Sequence, residues 1–113
     1  VVARGSRPPR RGAVYLVDLD PTRGSEIQKT RPCVVVSPDE LNEHLRTVIV
    51  APMTTGGRSY PWRPTCLFQE QEGRVALDQL RTVDRERLTR HLGKLSDQTM
   101  AAVLTTLAEF FAA

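Results

Sequence analysis

A chain of 113 residues, 40% hydrophobic and 26% charged, has the size of one globular domain with a modest core, and a second domain is not expected. Its formal charge of +3 resides in residues 1–11, where Arg4, Arg7, Arg10 and Arg11 meet no acid, while the body from Gly12 onward is close to neutral. Overall basicity is therefore no argument for a nucleic-acid partner, and only local charge counts. No apolar run approaches the roughly 18 residues of a membrane span, and the basic start leads into no signal-like segment. Cys33 and Cys66 sit in apolar runs, and two thiols make neither a disulfide framework nor a four-ligand zinc site. These features lead us to expect a cytoplasmic protein with reduced, buried cysteines and no cofactor. Residues 1–11, with Pro8 and Pro9, are expected to form a basic disordered tail, in part of vector origin, and residues 12–113 a single domain.

Ala13 to Leu19 (AVYLVDL), rich in β-branched and aromatic residues, predicts a strand ended by Pro21 and Gly24. Cys33 to Ser37 (CVVVS) predicts a strand buried on both faces, broken by Pro38, and Asp39 to Leu45 a helical turn. Thr47 to Ala51 (TVIVA) is a third strand, which Pro52 should stop. Weaker strand signals, Pro61 to Phe68 and Arg74 to Leu77, flank a polar loop around Gly73. Leu80 to Val83 and His91 to Leu95 would complete the sheet. From Ser96 the period changes: Ser96 is an N-cap with Asp97 in the first turn, and Met100, Val103, Leu104, Leu107, Phe110 and Phe111 recur at helical spacing. Many short strands and one terminal helix indicate a compact barrel or curled antiparallel sheet.

Dinucleotide, P-loop, zinc-protease and nucleophile-elbow motifs are all absent from the sequence. His44 and His91 read as ordinary surface residues. The pair Asp18 and Asp20 could hold a metal, but Pro21 and a following glycine favour turn stabilisation. Two loops remain. Residues 23–31 carry Arg23, Lys29 and Arg31 against Glu26, and residues 54–63 carry Arg58 and Arg63 with no acid. If the fold brings them together, these five cations form a phosphate-binding patch. Arg31 and the hydroxyls of Thr54 and Thr55, at two strand ends, are suited to stabilising charge on a phosphate without a metal.

The run GAVYLVDLDPTRGSEIQKTRPCVVVSP (residues 12–38), followed in order by VAPMTTGGRSYPW (50–62) and VALDQLRTVD (75–84), closely resembles the MazF/PemK toxin family. The resemblance implies a small SH3-like antiparallel β-barrel of the CcdB/Kid/MazF type closed by a C-terminal helix, dimerised so that an RNA groove follows the subunit interface. It further implies a type II toxin that cleaves single-stranded RNA without a metal and is restrained by a MazE-like antitoxin with an acidic disordered segment. The family's catalytic arginine and threonine fall on Arg31 and Thr54, and Glu26 falls on the acid of its first loop, as general base or loop organiser. Asp78, Gln79 and Arg81 match positions that line or support the RNA site, with Ser25, Lys29, Thr55 and Arg58 as further RNA contacts. In the Kid-like branch a histidine stands where this chain has Ser25, and an arginine where it has Ala76, so that branch's acid–base assignment does not transfer. The implied reaction is attack of the ribose 2′-hydroxyl on the adjacent phosphate, leaving 2′,3′-cyclic phosphate and 5′-hydroxyl ends. The alternative is a CcdB-like toxin that binds DNA gyrase and cuts nothing. A third possibility, an SH3-like peptide module, would have to build an aromatic groove from Trp62, two tyrosines and three phenylalanines.

Overall fold

The computed structural model describes residues 7–56 and 58–113. The elements are β1 (Ala13–Asp18), β2 (Thr30–Val35), α1 (Asp39–His44), β3 (Thr47–Thr54), β4 (Thr65–Phe68), β5 (Gln71–Val75), β6 (Arg81–Asp84), β7 (Leu88–Lys94) and α2 (Asp97–Phe110). Single 3-10 turns at Leu77–Gln79 and Arg85–Arg87 flank β6. The strands form one curled antiparallel sheet in the order β4-β5-β3-β2-β1-β7, with β6 branching from β3. The long strand β3 makes the curl possible: residues 47–50 pair with β6, and Met53 and Thr54 pair with β5 on the same edge.

The curled sheet encloses one apolar cluster and offers another to α2. Val17, Leu19, Cys33, Val35, Val48, Val50, Val83 and Leu88 fill the first. Val14, Val34, Ala51, Val75, Leu77 and Leu95 meet Met100 and Val103 of α2 in the second. Fully burying one such side chain contributes about 1.5–3 kcal/mol, so these clusters outweigh any surface ion pair. The expected helix is present, and its cap is Ser96, whose Oγ accepts the Thr99 N–H at 3.1 Å. The apolar stripe ends sooner than its spacing suggests: Phe110 and Phe111 are 43% and 69% exposed, touching each other edge to face.

Three local expectations are corrected. Pro52 does not stop β3. The Val36 N–H to Ile49 O bond of 2.9 Å, which fixes the alternation of the β2–β3 ladder, turns the Pro52 nitrogen away from β2. On its other side Ala76 donates to the Pro52 carbonyl at 2.8 Å, and the Ala76 carbonyl takes the Gln79 N–H at 3.0 Å instead of the one proline lacks. Gly73 lies within β5, not in a loop, and the β4–β5 turn is made by Gln69 and Glu70, both at positive φ (50° and 63°). Pro61 to Pro64 is not strand, so β4 begins only at Thr65. Of the expected tail, residues 1–6 lie outside the described residues. Its last two residues are tied to α1 and the segment before it: the Arg11 N–H and the Arg10 guanidinium both reach Asp39, at 2.7 and 2.8 Å, and Arg11 Nε donates to the Val36 carbonyl at 2.8 Å.

Candidate active site

The β2–β3 ladder ends at the pair Cys33 and Pro52, and a second proline explains why. By the same alternation residue 32 should donate its N–H to Met53, and Pro32 has none to give. Beyond that point the strands part. Continuing the register sets Arg31 across from Thr54, so the gap opens between these two residues. A cleft of about 340 Å³ results, lined by Arg31, Pro32, Met53, Thr54, Thr55, Cys66, Phe68, Gln69, Gln71, Gly73 and Leu92. Three residues expected at a catalytic or RNA-binding site, Arg31, Thr54 and Thr55, therefore meet there. Among the described residues the Arg31 side chain is tied only by Nε to the Gln28 carbonyl, at 3.1 Å, which leaves the outer nitrogens of its fork to a ligand. The Thr54 hydroxyl makes a long 3.5 Å contact with the Gly56 carbonyl. Both groups are thus positioned without being consumed by strong internal bonds.

Gly73 was not foreseen as part of the site. A Cβ at this position would lie 2.6 Å from the Thr54 carbonyl oxygen, so only glycine lets β5 run this close behind the threonine. The cleft's other walls, Phe68, Gln69 and Gln71 of the β4–β5 hairpin and Leu92 of β7, carried no sequence signal. The Gln69 Nε2 to Leu92 carbonyl bond of 3.1 Å ties the hairpin to β7. Cys66 lines the same cleft, and burial raises its thiol pKa. Burial pushes Cys33 up to about 12. Both cysteines are free and buried, as expected.

The other expected residues act around the cleft instead of lining it. Glu26 is exposed, and its carboxylate accepts the Arg23 N–H while its own N–H meets the Arg23 carbonyl at 3.1 Å. That arrangement organises the β1–β2 loop. Ser25 and Lys29 lie on the same loop, Lys29 at φ +69° with its N–H on Asp20 Oδ1 at 3.0 Å. Asp20 also takes the Thr22 hydroxyl at 3.2 Å, and Asp18 the Asp20 N–H at 3.2 Å, so the two carboxylates shape the turn. Gln79 Oε1 accepts the Ile27 N–H at 3.2 Å, and Arg81 donates to the Leu19 carbonyl at 3.1 Å. His44 Nδ1 meets the Glu40 carbonyl, and His91 stacks on Tyr15 at 4.8 Å; neither lines the cleft.

Of the five cations expected to form a phosphate-binding patch, Arg31 alone lines the cleft, and Arg63 is engaged elsewhere. Arg63 is committed to Asp78 by two bonds, Nε to Oδ1 at 2.7 Å and Nη2 to Oδ2 at 2.8 Å, and its side chain is only 16% exposed. Asp78 is accordingly a brace for the β3–β4 loop. The Arg63 hydrogen bonds hold the Asp78 carboxyl below the ordinary carboxylate range against a smaller opposing push from burial. A carboxyl whose pKa is depressed by folding contributes stability above its unfolded pKa and loses it as pH falls through the folded one. Asp78→Asn should therefore melt lower than the parent at neutral pH, and the gap should close below about pH 4. Thermal melts that kept the gap constant down to about pH 3 would show that the carboxylate's charge is not what holds Arg63.

Residues 10–111 match the family of PemK-like, MazF-like toxins of type II toxin–antitoxin systems. The endoribonuclease MazF of Staphylococcus saprophyticus is 40% identical to this chain over 101 residues, 83% of either protein. Among solved structures, MazF from Deinococcus radiodurans has a TM-score of 0.80 at 26% identity, covering 91% of this chain and 96% of that one. An endoribonuclease from a mycobacterial species, solved in complex with its cognate antitoxin, has a TM-score of 0.75 at 28% identity over 89% and 92% of the two chains. Three ordered sequence motifs, a curled sheet with a terminal helix and a match over nearly the whole chain agree: the protein belongs to the PemK-like, MazF-like toxins of type II toxin–antitoxin systems.

Proposed function

We propose that the chain is the toxin of a type II pair, an endoribonuclease that cuts single-stranded RNA in the cytoplasm at a preferred sequence. The observation that carries this reading is the meeting of Arg31 and Thr54 in one open cleft, with Thr55 beside them. A phosphate seated between them would receive the guanidinium fork on its non-bridging oxygens and a hydrogen bond from the Thr54 hydroxyl. As the ribose 2′-oxygen attacks, charge grows on those oxygens, and groups already in place stabilise it without reorganising. A guanidinium keeps its charge, so Arg31 acts as a clamp and not as a proton donor. The products are a 2′,3′-cyclic phosphate and a 5′-hydroxyl end. Glu26 keeps the β1–β2 loop in shape, with Ser25 and Lys29 presented from it, and Arg58 adds a cation from the β3–β4 loop. Asp78, Gln79 and Arg81 hold these loops in place.

A homodimer extends the cleft into a groove shared by two subunits, and an antitoxin with an acidic, disordered segment closes that groove by occupying it. Charge complementarity with Arg23, Lys29, Arg31 and Arg58 makes both ligands salt-sensitive. The direct test is to incubate the protein with a defined RNA pool in excess EDTA and map the ends. Cuts at one sequence word with cyclic-phosphate and 5′-hydroxyl termini are expected. Since the substrate supplies its own nucleophile, chelation should change nothing; loss of cleavage restored by magnesium or manganese would refute the mechanism. A gyrase-binding toxin of the same fold would leave the pool uncut.

A further inference from the structure

The β3–β4 loop carries an aromatic pair that the chemistry at Arg31 and Thr54 does not employ. Tyr60 and Trp62 stack with ring centroids 4.9 Å apart and planes 10° from parallel. The Arg63 guanidinium lies 5.5 Å from the Tyr60 centroid and is bolted in turn to Asp78. Trp62 nevertheless remains 37% exposed. An indole held flat by a neighbour and still open to solvent has lost most of its side-chain freedom before any ligand arrives, so a partner that stacks on it loses little additional entropy.

Its position matters as much as its geometry. The loop leaves β3 at Thr54 and re-enters the sheet at Thr65, and Thr54, Thr55 and Cys66, at its two ends, line the cleft. The chain from Trp62 through Arg63, Pro64 and Thr65 spans at most about 14 Å, which limits how far the Trp62 main chain can lie from Cys66 in the cleft wall. We infer that Trp62 is a stacking platform for one unpaired nucleobase of the RNA strand next to the scissile phosphate. This rests on the endoribonuclease reading and adds a binding subsite to it. A proline-rich peptide is the less suitable occupant, because it needs a groove of several aromatic rings. Tyr60 is already covered by Trp62, Tyr15 is stacked with His91 on β1 and β7, and the two exposed phenylalanines sit at the end of α2. A single flat platform beside a phosphate clamp suits a base, every one of which has a π-face.

Trp62 is the only tryptophan in the chain, so its fluorescence reports on this residue alone. The probe is an RNA oligonucleotide spanning a mapped cut, with one 2′-deoxy sugar at the cut to prevent cleavage. Binding should quench the indole emission. Trp62→Ala should bind the probe about tenfold more weakly and raise KM similarly, with a far smaller change in kcat, while Trp62→Phe should retain most of the affinity. Abasic sites are then introduced one position at a time. One position should cost the parent protein about tenfold in affinity and cost Trp62→Ala nothing, a coupling that a purely structural residue would not produce. If the parent cuts and binds RNA but folded Trp62→Ala binds equally well and no abasic position is coupled, the platform alone is refuted. If the parent neither cuts nor binds RNA, the platform and the endoribonuclease reading fall together. Trp62-dependent capture of a proline-rich peptide, with RNA affinity intact in Trp62→Ala, would also overturn it.

Discussion

Replacing Arg31 by alanine is expected to slow RNA cleavage by about 100-fold or more while moving the melting temperature little. The two halves of this expectation have separate origins. Arg31 is exposed, and its one side-chain bond among the described residues runs from Nε to a carbonyl three residues away, so the folded state loses almost nothing with it. The transition state loses a fork aimed at developing charge. Arg31→Lys restores the charge without the planar pair of donors and should recover only part of the rate. Thr54→Ala should fall by a comparable factor, and Thr54→Ser, which keeps the hydroxyl, should stay within about tenfold of the parent. Single-turnover rates on a defined RNA, read beside circular dichroism melts, check the set. Near-parental cleavage by folded Arg31→Ala would remove Arg31 from the mechanism, and collapse of the fold would give it a structural role instead.

An RNA with one 2′-deoxy sugar immediately 5′ of the cut should not be cleaved at all, although it should bind nearly as well as the parent RNA. The proposed attacking atom is the substrate's own oxygen, and without it the clamp stabilises a reaction that has no nucleophile. Binding survives because most phosphate and base contacts are untouched by one missing hydroxyl. A nuclease that activates water would tolerate the change. A measured rate on the deoxy substrate close to that on the parent RNA would reject intramolecular attack even if Arg31 and Thr54 proved indispensable.

The elements most legible in the sequence were those governed by local pattern. The β-branched and aromatic run of β1 and the helical spacing behind Ser96 each need only neighbours along the chain to be read. The prolines were not legible in this way. Pro52 signals a strand end, yet it sits where β6 has finished and β5 is starting, so its missing donor is made good by Gln79. Pro32 interrupts one ladder and leaves the other intact, because β2 has different partners on its two edges. Those assignments depend on register, which no local window contains. The same holds for charge: Arg63 counts as one more loop cation until the fold delivers Asp78 to it. Arg31 and Thr54 were found through their motifs, but the reason that they face an opening was visible only once the ladder between them was seen to stop.

Side chains from the end of β5 onward fasten the β1–β2 loop by its main chain. Gln79 takes the Ile27 amide, Arg81 the Leu19 carbonyl, and Arg87 the carbonyls of Asp18 and Asp20. Every residue type except proline offers the same amide, and all offer the same carbonyl, so these anchors are blind to the side chains they secure. The loop's outward residues, Arg23, Ser25 and Lys29 among them, can therefore be exchanged without loosening its attachment. With the proposed RNA and antitoxin contacts on this loop, a toxin built this way would change the RNA word it prefers, or the antitoxin that silences it, by surface substitutions there, while the frame that holds the loop stays as it is.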